Sequence, residues 1–336
     1  MIKREAMENN LDFDEVEFFI KKYNSLHRNF ELMQEVLNSK QLKAYFECAQ
    51  YLKYVLIKTE EGEYIKKLVS ANFCKNRFCS ICNWRRALKY RVILNNRIQK
   101  ILENKKVKFI FLTLTTRNVY YLNLKKEIKK ILNAFTRLFK FKRVSQNLGI
   151  LGYVRSLEFT IQKNNLDYIN LHIHVLVVVT PGYFDTRKNF YINQREWAKL
   201  WQKALRVDYT PIVDVRVVRK RKKSNYTAEE LAIFEVVKYI LKDTDLLLLQ
   251  KQKKVYVFKE LYRSFKNVRN LASGGILAPK NFKKKISEEE DLVNVKGSEV
   301  QGKIVGEVEY ILKDGNYQLL RFKGEENECK KNQNRI

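Results

Sequence analysis

Apolar and polar positions alternate along the middle of the chain in ways that place most of its elements. The stretch Asn170-Leu171-His172-Ile173-His174-Val175-Leu176-Val177-Val178-Val179 is β-branched and apolar at both parities. Such a run predicts a strand buried on both faces, near the centre of a sheet. Val107–Thr115 alternates as a second strand, and Leu151–Ile161 pairs with Ile169–Val179 across the polar turn Gln162-Lys163-Asn164-Asn165. Between them Leu124, Ile128, Ile131, Leu132, Phe135 and Leu138 recur at helical spacing, opposite Lys125, Lys126, Lys129, Lys130 and Arg137. A second helix over Asn193–Leu205 puts Trp197, Leu200, Trp201 and Ala204 on one face; Ile212–Val218 follows as a strand and Ala228–Lys242 as a third helix. The order β-α-β-β-α-β-α predicts an α+β chain with a ferredoxin-like, split βαβ antiparallel sheet.

The flanks are less periodic. Residues 1–45 predict one or two helices, and Leu261–Leu271 a basic helix ended by Gly274-Gly275. A charged stretch, Lys283–Lys285 then Glu288–Asp291, predicts a linker. Val305–Leu312 and Tyr317–Phe322 flank Asp314-Gly315, a hairpin signal. Four segments follow: helical 1–45, cysteine-bearing 46–105, the sheet core 106–275, and a linker with a C-terminal hairpin, 276–336.

Charge changes the picture most. The 336 residues carry 66 Lys and Arg against 37 Asp and Glu, a formal +29. Solubility needs far less, so a polyanion is expected as partner, nucleic acid ahead of acidic lipid. No uncharged stretch reaches membrane-spanning length and no apolar signal core opens the chain, which predicts a cytoplasmic protein with reduced thiols and no membrane partner.

In that setting clustered cysteines indicate metal. Cys74-x4-Cys79-x2-Cys82 offers three thiolates to a tetrahedral Zn²⁺, with Cys48 as the candidate fourth ligand across an excursion at 51–69. A redox CxxC is the alternative, but the expected thioredoxin-like βαβ surroundings are missing. Lys75, Arg77, Arg85, Arg86 and Lys89 make the knuckle basic, and Arg85 and Arg86 are candidate phosphate contacts. Lys126, Lys130, Arg219 and Arg221, in the runs 125–143 and 219–223, are further candidates for contacting DNA backbone without reading sequence.

Two of the three histidines share one face of the apolar strand. A lone strand histidine is ordinary core material. Two at i and i+2 need partners for four ring nitrogens, and a shared metal ion satisfies two of them. On the third helix Glu235, Tyr239 and Lys242 form a stripe. Alone this is a commonplace surface pattern. Beside a histidine strand in so basic a chain, a tyrosine hydroxyl becomes a candidate nucleophile toward a phosphodiester, helped by nearby lysines that favour phenolate.

Three motifs then fall in order: Phe111-Leu112-Thr113-Leu114-Thr115-Thr116-Arg117-Asn118, Leu171-His172-Ile173-His174-Val175-Leu176, and Glu235-Val236-Val237-Lys238-Tyr239-Ile240-Leu241-Lys242. Over residues 45–275 the chain resembles the HUH endonucleases, specifically the replication initiators of rolling-circle plasmids of Gram-positive bacteria. Its segment Phe73–Arg86 resembles the zinc-ligand region of that group. The resemblance implies the HUH nuclease fold, a ferredoxin-like or RRM-like antiparallel sheet with helices on one face, behind an N-terminal zinc-binding module.

It also implies a chemistry. Tyr239 would attack one phosphodiester at a plasmid double-strand origin, single-stranded at the nick, leaving a 5′-phosphotyrosine and a 3′-hydroxyl primer for a host polymerase and helicase. Glu235 stands where other relatives carry a second tyrosine, and would activate water at termination. Lys242 would hold a phosphate oxygen, and His172 and His174 would position Mg²⁺ or Mn²⁺. Glu158 is the candidate third ligand. In an antiparallel hairpin, facing residues sum to a constant, so Glu158 faces His172 only across an odd loop centred on Asn165 or through a bulge. Thr113 and Thr115 share a face and line the histidine surface as ordinary strand residues. An HUH relaxase or transposase, and a non-catalytic zinc-containing DNA-binding regulator, are the alternative functions.

Overall fold

The computed structural model describes residues 11–219, 226–237, 243–281, 292–293, 295 and 302–324. Tyr239, Lys242, Arg221 and the charged stretch 283–291 lie outside these residues. The chain divides into two compact units, Met1–Lys89 with Glu288–Ile336, and Tyr90–Ser287.

In the first unit, helices α1 (Leu11–Arg28), α2 (Phe30–Gln34) and α3 (Ser39–Phe46) precede the hairpin β1 (Tyr51–Lys58) and β2 (Tyr64–Ala71). A capping box starts α3, with Asn38 and Gln41 each satisfying the other's backbone N–H. Helix α4 (Ser80–Leu102) begins here. The C-terminal hairpin, β9 (Lys303–Lys313) and β10 (Asn316–Gly324), turns at Asp314 and Gly315, whose φ values of 51° and 80° match the Asp-Gly signal. Strand β9 pairs antiparallel with β1, Tyr54 facing Val308, in a sheet of order β10-β9-β1-β2. A two-stranded hairpin is marginal alone, and this pairing gives it two more strands.

The second unit holds the larger sheet: β3 (Lys108–Thr115), the short β4 (Val119–Tyr120), β5 (Ile150–Ile161), β6 (Tyr168–Val179), β7 (Val213–Val217) and β8 (Leu271–Gly275). Its helices include α5 (Leu124–Leu138), the single turn α6 (Lys142–Ser145), α7 (Gln194–Leu205), α8 (Ala228–Val236), α9 (Asp243–Lys251) and α10 (Val255–Phe265). The strand order is β7-β3-β6-β5-β8, all neighbours antiparallel, with β4 paired to the start of β6. Strand β6 is central, as its two-sided apolar pattern predicts. Val175–Val179 are fully buried, and each such side chain contributes roughly 1.5–3 kcal/mol relative to exposure.

Helix α5 buries Leu124, Ile128, Ile131, Ala134, Phe135 and Leu138, and its Phe135 meets Tyr153 of β5 edge-on at 5.1 Å. Helix α7 starts at Asn193, whose side chain accepts from the Glu196 N–H, and buries Trp197 and Trp201. A Thr227–Glu230 capping box starts α8. The basic helix expected over Leu261–Leu271 lies earlier, as α10, and Gly274-Gly275 closes a strand rather than a helix. Gly152 and Gly275 face each other across β5 and β8; a Cβ on Gly275 would stand 2.3 Å from the Leu151 carbonyl oxygen, so only glycine allows this approach. No helix among the described residues is long and apolar enough to cross a membrane.

Candidate metal centres

Among the described residues, each unit brings together one group of metal-ligating side chains. In the first, Cys48 follows α3, Cys74 follows β2, and Cys79 and Cys82 flank the start of α4. The Cys48 sulfur lies 3.6 Å from those of Cys79 and Cys82, and Cys74 lies 3.6 Å from Cys82. Ligands at the usual Zn–S length of about 2.3 Å stand about 3.8 Å apart on a tetrahedron, so the four sulfurs already outline one. Backbone amides converge on them. Lys75, in the left-handed conformation at φ 58°, donates its N–H to Cys82 at 3.2 Å, and the Cys74 N–H donates to Cys48 at 3.4 Å.

Cys48, Cys79 and Cys82 are fully buried. Burial pushes the Cys48 and Cys79 thiols up. It pushes Cys82 the same way, but hydrogen bonds from the other three thiols and the charge of Arg86 take that group well below its ordinary value. Four packed sulfurs with one of them pulled toward thiolate make a donor set that a soft divalent cation satisfies, and the cluster could hold one.

The basic residues around the knuckle divide. Arg86 donates to the carbonyls of Lys75 and Asn76, bracing the loop. Arg85 does not face DNA as expected. It is 1% exposed, lies against Phe19, Phe73 and Trp84, and donates to the carbonyls of Leu292 and Val293 at 2.9 and 2.7 Å. A guanidinium buried among aromatics needs those carbonyls to offset the loss of water.

In the second unit the register decides the site. The β5–β6 pairs sum to 330 from Ile161–Ile169 onward, so the loop is odd, centred on Asn165, and Glu158 faces His172. One row across the sheet reads Thr115, His172, Glu158; the next reads Asp214, Thr113, His174, Ser156. The Glu158 Oε2 atom lies 3.6 Å from His172 Nε2 and 3.4 Å from His174 Nε2. All three ligand atoms fall within 4.8 Å of one another, and the group could hold a metal ion.

Burial pushes the Glu158 carboxyl up, but hydrogen bonds from both histidines outweigh it and hold the group at about 2. The carboxylate therefore stays charged, facing the two imidazole nitrogens. The Ser156 hydroxyl donates to the other carboxylate oxygen at 3.4 Å. His174 Nδ1 lies 3.2 Å from Thr113 Oγ1, and Phe111 stacks on the His174 ring at 5.4 Å. With Nε2 turned to an ion, Nδ1 carries the proton and donates to the threonine. His172 Nδ1 is buried with no hydrogen-bond partner among the described residues. The side chains of His172, His174 and Glu158 keep 11, 16 and 8% exposure.

Ser156 and the orienting role of Thr113 were missed from sequence. The alternation of β5 and the two-residue spacing to Glu158 put Ser156 on this face and were the available signal. Glu235 is half-buried on α8. Lys126 and Arg219 are exposed, and Lys130 pairs with Glu127 at 3.7 Å.

A family model described as a replication protein matches residues 65–316. The chain is 36% identical over 274 residues to "Protein rep" of Lentilactobacillus hilgardii, covering 79% of this chain and 82% of that one. It is 40% identical over 228 residues to "Protein rep" of Staphylococcus aureus, covering 68% and 93%. Against "Protein rep" of Lactiplantibacillus plantarum it is 36% identical over 252 residues, covering 74% and 77%. No solved structure matches the chain.

Proposed function

Because the chain belongs to the replication protein family, we propose that it initiates rolling-circle replication of a plasmid by nicking and rejoining DNA at its origin. The observation that carries this reading is the convergence of Glu158, His172 and His174 on adjacent central strands. The strand order β7-β3-β6-β5 is that of a split βαβ sheet and supports the ferredoxin-like HUH fold. Helix α5 covers the face carrying Tyr153, the histidines occupy the opposite face, and α8 packs against β3, β5 and β6. In this reading α8 lies over the histidines and leads the chain to Tyr239.

The Tyr239 oxygen attacks the scissile phosphorus and displaces the 3′-oxygen, leaving a 5′-phosphotyrosine and a free 3′-hydroxyl. Bound Mg²⁺ or Mn²⁺ supplies Lewis-acid polarisation of the phosphate. Glu158, His172 and His174 hold that ion, Lys242 neutralises a phosphate oxygen, and Glu235 deprotonates the water that releases the strand at termination. The four cysteines hold a structural Zn²⁺. Arg219, Arg221, Lys126 and Lys130 hold DNA backbone, and the 3′-hydroxyl serves as the primer for a host polymerase working with a helicase in the cytoplasm.

Incubating the protein with supercoiled and single-stranded origin DNA and a divalent metal tests this. Wild type is expected to leave a covalent 5′-linked adduct and Tyr239→Phe none; an adduct with Tyr239→Phe removes the nucleophile assignment. Glu235→Ala is expected to nick and fail to release, and equal loss of both steps would remove its special role. Binding without nicking would favour the non-catalytic regulator.

A further inference from the structure

Four tyrosines gather where β4 pairs with the start of β6. Tyr120 faces Tyr168 across the strands, their rings 5.7 Å apart. Tyr121 lies 4.8 Å from Tyr120 and 5.2 Å from Tyr256, at the start of α10. All three pairs are tilted by 54–57°, so the rings offer faces in several directions. They are not core: Tyr120, Tyr168 and Tyr256 are 38, 37 and 43% exposed. Clustered exposed aromatics mark binding surfaces.

The surroundings name the occupant. Tyr168 has the parity of His172 on the same uninterrupted strand, four residues away, so it stands about 14 Å from His172 along the histidine face. That is a few nucleotides of an extended strand. Asp167, beside the cluster, is already matched by Lys254 at 3.0 Å and by the Tyr256 hydroxyl at 3.0 Å. Lys254 also lies over the Tyr256 ring at 5.2 Å. Exposed Lys125 and Lys126 follow Tyr121 at the start of α5, exposed Lys163 lies in the β5–β6 loop before Tyr168, and exposed Lys253 precedes α10. Aromatic faces with Lys254 over one ring and further exposed lysines close by in the chain suit unpaired bases on a phosphate backbone. A duplex hides its base faces, and an apolar peptide has no use for the charge.

We propose that Tyr120, Tyr121, Tyr168 and Tyr256 form a stacking site for single-stranded DNA flanking the metal centre. The proposal rests on the nicking function above for its biological role but not for its binding chemistry. The site holds bases without reading their sequence, keeping the strand opened at the origin in register with the histidines.

The test is fluorescence anisotropy of the full chain with a labelled oligothymidylate and with an abasic oligomer of equal length, which keeps the phosphates and lacks the bases. Tyr168→Ala should weaken oligothymidylate binding roughly tenfold, as removal of one stacking ring does, while Tyr168→Phe retains it. Wild type and Tyr168→Ala should bind the abasic oligomer equally. Unchanged oligothymidylate binding by both Tyr168→Ala and Tyr120→Ala, or equal losses on both oligomers, overturns the proposal. A protein that shows the base-dependent loss but never nicks keeps the stacking site and loses the replication reading. One that nicks with no base-dependent loss has the opposite result.

Discussion

The two metal-ligating groups solve opposite problems. The cysteine cluster uses four ligands of one kind, three fully buried, drawn from the ends of α3 and β2 and the start of α4. Every corner of its tetrahedron is filled by protein, which is the arrangement of a structural site. The Glu158 group uses three ligands on two neighbouring strands, and the sheet fixes them whether or not an ion is present. A closed site ties together segments that otherwise lack a reason to meet; an open one borrows a rigid scaffold and leaves room for chemistry. Metal loss should therefore unfold the first kind and silence the second.

The largest effect expected is at the cysteines. Apparent binding free energies of structural zinc sites run to about 10–16 kcal/mol and are in effect folding free energy. Cys79→Ser should lose zinc by elemental analysis and leave residues 48–82 open to protease. A variant with undiminished metal and unchanged protease resistance would mean that the cluster is only a packed set of thiols. At the open site the expected pattern reverses. His174→Ala should cut metal-dependent nicking on the order of a hundredfold, while its melting temperature moves little because His172 still pairs with Glu158. A large stability loss without an activity change would put His174 in the core after all.

How far this contrast was legible in the sequence depends on whether the signal is local. Strand β6 declared itself central because both its parities are apolar, and hairpin arithmetic put Glu158 opposite His172 only for an odd loop or a bulge, a choice that the observed register makes. The turn at Asp314-Gly315 was equally local. The pairing of β9 with β1 was not legible, because residues 51–58 and 303–311 share no pattern that names the other. Strand β8 was hidden because Gly274-Gly275 reads as a stop, whereas its purpose is close approach to Gly152. Arg85 was misread for a related reason. A charge in a basic run looks like a phosphate contact until Phe19 and Phe73, remote in sequence, are seen to enclose it.

A milder change separates charge from geometry at the open site. Glu158→Gln keeps the shape and a carbonyl oxygen but removes the negative charge held between the imidazoles. Hard divalent cations depend on that charge, so the metal concentration for half-maximal nicking should rise by roughly tenfold or more, with the maximal rate partly restored at high Mn²⁺. An unchanged metal requirement would reduce Glu158 to a cross-strand ion pair with the histidines.

The smallest effect falls on Thr113, which never touches the ion. Its hydroxyl lies 3.2 Å from His174 Nδ1 and holds the ring with Nε2 toward the carboxylate. His172 has no such partner among the described residues, so the two ligands differ in how firmly their rings are set. Thr113→Val keeps the β-branched shape and removes only the hydroxyl; Thr113→Ser keeps the hydroxyl and removes only a methyl. Loss of a partner to a metal-ligating histidine typically weakens metal affinity by about 10–100-fold. Thr113→Val should therefore raise the Mn²⁺ requirement by about tenfold and leave the saturated nicking rate near wild type, and Thr113→Ser should restore the requirement. If Ser fails where Val fails, the methyl packing on the sheet matters and the hydroxyl does not. His174 would then be held, like His172, by the strand alone.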